Sequence, residues 1–110
     1  MIDETISKLE QRLKNSAAIS ELNRQELLQL LSTLKTEVSE LSKTHADEAQ
    51  KILGYTQAST QEATHPEKNS ERLDLHLQDL AKSVDGLEAS HPKLVQLVNR
   101  ISEILANLGI

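Results

Sequence analysis

Apolar side chains at Leu27, Leu31, Leu34, Val38 and Leu41 recur at steps of four, three, four and three. That rhythm sets them in one line along an α-helix, ready to pack against another helix. The same rhythm returns at Leu73, Leu77, Leu80, Val84 and Leu87, and again at Leu94, Val98, Ile101, Leu105 and Leu108. β-branched and aromatic residues never alternate over a useful length, so strand is not expected. The pattern predicts an all-α protein, a helical bundle with coiled-coil character made of about four helical segments, one of them long, with Leu27–Leu41 packed against Leu73–Leu87 and Leu94–Leu108.

The first segment should run from about Asp3 to Lys14, with Asp3 as its cap and Ile2, Ile6, Leu9 and Leu13 on one face. Residues 15–22 read as a connection whose Ile19 and Leu22 touch the core. Asn23 then suits a helix cap, with Glu26 three residues on as in a capping box, and Leu22 with Leu27 as the hydrophobic staple. Leu28 and Leu30 widen the apolar stripe beyond a two-stranded seam, which calls for a bundle. Past Leu41 the seam positions become His45, Glu48, Ile52, Tyr55 and Ser59, mostly polar. The helix is expected to persist into the fifties and to fray past Gly54; carried to Ala63 it would span about 60 Å. Residues 56–69 hold no Leu, Ile or Val and read as a polar linker or a solvated helix extension within a single helical domain spanning residues 1–110.

The third segment should run from about Ser70 to Ala89, with Ser70 as cap, Thr64 and Glu67 as a competing capping box, and Leu75 broadening the buried face. Ser90 is placed to cap the last helix, with His91 and Pro92 in its first turn. Because the four-three count passes through Pro92 without a phase shift, the chain either breaks there or kinks sharply; a break is expected. Gly109 suits a left-handed stop, with Ile110 folding back on Leu105.

The segment Glu88-Ala89-Ser90-His91-Pro92-Lys93-Leu94, followed by an aliphatic helix closing on Leu108-Gly109-Ile110, resembles the small bacterial family catalogued as domain of unknown function 4404. Asn23-Arg24-Gln25-Glu26-Leu27-Leu28, opening a leucine-rich helix after a short one, is similar too. The resemblance covers about residues 1–45 and 70–110, with residues 46–68 as extra length. It implies a bacterial origin and, because that family carries no established activity, no catalytic residue.

Composition narrows the chemistry. There is no Phe, Trp or Cys and a single Tyr among 110 residues, so the core is slender and aliphatic, and thiol chemistry is excluded. A core of this kind is marginal in a monomer that leaves leucine surface wet, so a homo-oligomer, most simply a homodimer, is expected, with another protein as a further possible partner. With a net charge of −5 and scattered basic residues, nucleic acid is not an expected partner. No stretch approaches the ~18 apolar residues of a spanning helix, and the last helix lacks the basic face and aromatic anchors of a surface binder. No membrane partner is expected, and a cytoplasmic location is.

Glu62-Ala63-Thr64-His65-Pro66 nearly repeats as Glu88-Ala89-Ser90-His91-Pro92. Each sets a Glu three residues before a His, the spacing of carboxylate-bridged metal sites in bundles. The following proline disfavours the helix such a site needs, so both read as helix starts. His45 and Glu48 form another i, i+3 pair, readable as a buried polar layer or as a seam fading into solvent; a packed His45 or His91 would make association pH-dependent. There is no G-x-S-x-G elbow and no glycine-rich phosphate cradle. The sequence therefore predicts no enzyme, no metal and no cofactor, but an oligomerisation or interaction module working through its leucine seams. A small metal- or ligand-binding regulator using the His/Glu pairs is the alternative.

Overall fold

The chain folds into helices connected by short turns in a computed structural model that describes residues 2–17 and 19–108. Five helices follow one another among these residues: α1 (Ile2–Asn15), α2 (Glu21–Ser42), α3 (Ala46–Ala63), α4 (Ser70–Ser83) and α5 (Pro92–Leu108). No strand occurs among the described residues. The expected stop at Gly109 and Ile110 lies outside them.

Each helix start and stop has a local cause. Ser20, rather than Asn23, caps α2: its hydroxyl accepts from the Asn23 amide at 3.3 Å. Asn23 is thus already inside the helix, the capping box with Glu26 does not form, and Leu22 points into solvent at 81% exposure instead of stapling Leu27. The long second helix is in fact two. After Ser42 the hydroxyls of Ser42 and Thr44 turn back onto the carbonyls of Ser39 and Leu41, at 2.7 and 3.4 Å, offering the backbone local partners that compete with helix continuation. His45 leaves helical geometry (φ −135°, ψ 65°). A fresh helix then begins at Ala46, with Asp47 and Glu48 in the first turn, where the helix dipole favours acidic groups.

The largest correction concerns α3. Residues expected to fray after Gly54 and to form a linker or a solvated helix extension over 56–69 are helical through Ala63, but Thr56, Ser59, Thr60 and Ala63 are buried rather than solvated. The chain turns only at residues 64–69. Asn69, not Ser70, caps α4, accepting from the Arg72 amide at 2.9 Å. Helix α4 ends at Ser83, short of the expected Ala89, because Gly86 takes a left-handed φ of 87°, a conformation open to glycine at little cost. Val84 and Leu87 therefore occupy a turn, though both are buried, and the unbroken four-three count across this stretch is a coincidence of spacing. The chain breaks before α5, which starts at Pro92, where a missing amide hydrogen is harmless.

Helix α3 alone packs against all four others; α1 meets α2 and α3, α5 meets α2, α3 and α4, and α2 and α4 do not touch. Of the two pairings expected for the α2 seam, the one with α5 therefore forms and the one with α4 does not. The radius of gyration is 13.0 Å, which is what a folded chain of this length adopts, about 13 Å, and the longest dimension of 37 Å excludes a 60 Å rod.

The aliphatic seams are spent inside one chain. Leu27, Leu31, Leu34, Val38, Leu41, Leu73, Leu80, Leu94, Val98, Ile101 and Leu105 are buried, joined by Ile6, Leu9, Leu13 and Ile19. Leu77 and Leu108 are half-buried against this core. Leu75, expected to broaden the buried face of α4, is 60% exposed.

Candidate functional site

The most developed polar arrangement lies where the C-terminus of α3 turns into α4. The Glu62 carboxylate, only 9% exposed, accepts from the Asn69 amide at 3.0 Å through Oε2 and from the Arg72 guanidinium at 3.4 Å through Oε1. The Asn69 N–H holds this carboxyl below the usual carboxylate range, assisted by the charge of Arg72 and opposed by desolvation. A buried carboxylate with both oxygens engaged stays charged and fixed. Because Asn69 caps α4 through its side chain while donating its own amide to Glu62, the carboxylate ties the end of one helix to the start of the next.

A cleft of about 390 Å³ opens beside this pair, lined by Gln61, Glu62, His65, Glu67, Arg72 and His76 among others. His65 is exposed in the turn, and its Nδ1 accepts from the Glu67 amide at 3.0 Å. His76 stands one helical turn beyond Arg72.

Two arginines, unnoticed in the sequence, close the same end of the bundle. Arg24 donates from Nε to the Leu13 carbonyl at 3.0 Å and from Nη2 to the carbonyls of Ser16 and Ile19. Arg12 donates to Thr64 Oγ1 at 2.6 Å and to the Gln61 carbonyl at 3.1 Å. Arg24 thus meets the Leu13 carbonyl in the last turn of α1, and Arg12 the Gln61 carbonyl in the last turn of α3, helix C-termini where positive charge is favoured. A third arginine, Arg100 on α5, grips both oxygens of Glu26 on α2 at 2.6 and 2.9 Å and reaches Glu103 at 3.2 Å. That bond lowers the titration of Glu26 and raises that of Arg100.

The His/Glu pairs separate. Glu62 and His65 border one cleft, but the carboxylate is already occupied. Glu88 accepts from the Gly86 amide at 2.9 Å, while His91 faces His45 instead, with ring centroids 6.3 Å apart and planes nearly perpendicular. His45 is exposed at the cap of α3 and Glu48 is half-buried, so they form no buried polar layer. No group of three or more His, Asp or Glu among the described residues is placed to hold a metal ion.

No family model, curated protein or solved structure matches this chain. No described helix is long and apolar enough to cross a membrane. The functional reading therefore rests on the molecule's own surface. At the α3–α4 turn Glu62 is paired with Arg72 and with the Asn69 backbone, an arrangement suited to fixing the ends of the two helices.

Proposed function

We propose that the chain acts as a non-enzymatic helical interaction module, a small scaffold that associates with a second copy of itself, in keeping with a cytoplasmic role. The observation that carries this reading is the pair Leu22 and Leu75, the large aliphatic side chains that, among the described residues, are left in water at 81% and 60% exposure. The leucine seams are covered by the chain's own helices, so a partner has no call on them, and association uses the outside of the bundle. Leu22 lies in the first turn of α2 and Leu75 in the second turn of α4, both toward the end that Arg12, Arg24 and Glu62 make rigid. An apolar side chain on a fixed support loses little further freedom when a partner covers it, which favours binding. The family that the chain's two ends resemble has no established activity and adds no catalytic role.

Light scattering across a concentration series tests the reading. The mass should exceed one chain at micromolar concentration, and Leu22→Ser together with Leu75→Ser should return it to one chain with helicity unchanged. A strict monomer under these conditions, or a double variant that associates as the parent does, would overturn it.

A further inference from the structure

We propose that His45 and His91 form a two-imidazole clip for a borderline divalent transition-metal ion, which fastens the α2–α3 turn to the α4–α5 turn. The residues are far apart in sequence, yet the fold sets their rings edge to face with centroids 6.3 Å apart. Two imidazoles sharing one ion, each nitrogen about 2.0–2.1 Å from it, hold their ring centres about 5–6 Å apart. The observed separation lies just beyond that span, and turning the rings out of their edge-to-face arrangement would aim one nitrogen of each at a shared ion.

The ring of His45 is already oriented for this. Its Nδ1 lies 2.8 Å from Thr44 Oγ1. In the tautomer whose Nδ1–H donates to this hydroxyl, Nε2 keeps a free lone pair for an ion. A second partner that fixes tautomer and ring direction in this way is the usual companion of a metal-ligating histidine. His91 is held from its backbone: its amide donates to the Leu87 carbonyl at 2.7 Å, and Pro92 begins α5 immediately after it. Both histidines stand at helix starts, where a cation is disfavoured; Asp47 and Glu48 in the first turn of α3 offset that field. Imidazole ligands suit Zn²⁺, Ni²⁺ and Cu²⁺ rather than Mg²⁺ or Ca²⁺. Water completes the coordination, because two protein ligands leave positions open. The clip joins two turns that no other side-chain hydrogen bond among the described residues connects.

Thermal unfolding of the untagged full chain with and without Ni²⁺ tests this, with Mg²⁺ as the control for general divalent effects. Saturating Ni²⁺ should raise Tm by about 4 °C or more, since a ligand bound only by the folded state stabilises it. His45→Gln or His91→Gln should each abolish the rise, whereas His65→Gln and His76→Gln should keep it. Thr44→Val should weaken Ni²⁺ affinity about tenfold. No rise, an equal rise with Mg²⁺, or a rise that survives His45→Gln or His91→Gln would overturn the proposal. Paramagnetic broadening in the unaltered chain gives an answer that needs no variant. Substoichiometric Ni²⁺ should broaden the imidazole signals of His45 and His91 together, and broadening of only one, or of neither, refutes the clip.

Discussion

At the scale of single residues, two glycines behave in opposite ways for one reason. Gly54 lies in the middle of α3 with helical backbone geometry, and a methyl group there would meet nothing within 4 Å. Gly86 also has open space, but its φ of 87° forces any other L-residue into a crowded left-handed conformation. Gly54→Ala should therefore stabilise the protein by about 0.5–1 kcal/mol, while Gly86→Ala should destabilise it by about 1–2 kcal/mol. Urea unfolding of the two variants beside the parent reads both values. Equal effects of the same sign would contradict the backbone assigned to one of them. The sequence predicts fraying past Gly54 and a helix running on through Gly86, and the backbone does the opposite at each.

At the scale of elements, α3 explains how much of the fold was legible. Helices α1, α2, α4 and α5 announce themselves through Leu, Ile and Val at helical spacing, and their faces are largely the ones that pack. In α3 the same spacing is kept by Ala49, Ile52, Thr56, Ser59 and Ala63, mostly small or hydroxyl-bearing residues. Such residues leave no leucine signature, yet they let neighbouring backbones approach closely, and they suit a helix with four partners. Thr56 satisfies its hydroxyl within the helix by donating to the Ile52 carbonyl at 2.7 Å, so burying it is tolerable. The same helix carries Glu62, whose sequence signal was the i, i+3 pairing with His65, whereas its actual partners lie in the next turn and helix. Its carboxyl is held below the ordinary range, so the stability it contributes is fully present above the usual carboxylate value near 4.3. That contribution is lost as pH falls through the lowered folded value. Glu62→Gln should therefore lower stability at neutral pH and flatten the acid side of the stability profile, measured as unfolding midpoints between about pH 7 and 2.5. An acid limb as steep as the parent's would show that Glu62 does not carry it.

At the scale of the whole molecule, the decisive fact is that the leucine ridges are satisfied within one chain. Sequence periodicity reports that a helix has an apolar face, but it does not say whether the covering surface belongs to the same chain or to another. The α2 seam was expected to meet both later seams; it meets α5, while α4 is reached only through α3 and α5, which each touch both. Leu34 is fully buried on α2. Leu34→Ala should cost about 2–5 kcal/mol, and the loss should be the same at every protein concentration. A loss that shrinks as concentration rises would mean that Leu34 is covered by a second copy.

The central place of α3 also governs what happens while the polypeptide is being made. When Ala63 has left the ribosome, α1 and α2 can close over α3, but the part of it that α4 and α5 cover stays bare until they arrive. Leu94, Val98, Ile101 and Leu105 come last, and with them Arg100, which alone ties α5 to Glu26 on α2. A nascent chain stopped before Pro92 would carry an open trough lined with leucine, the kind of surface that chaperones hold.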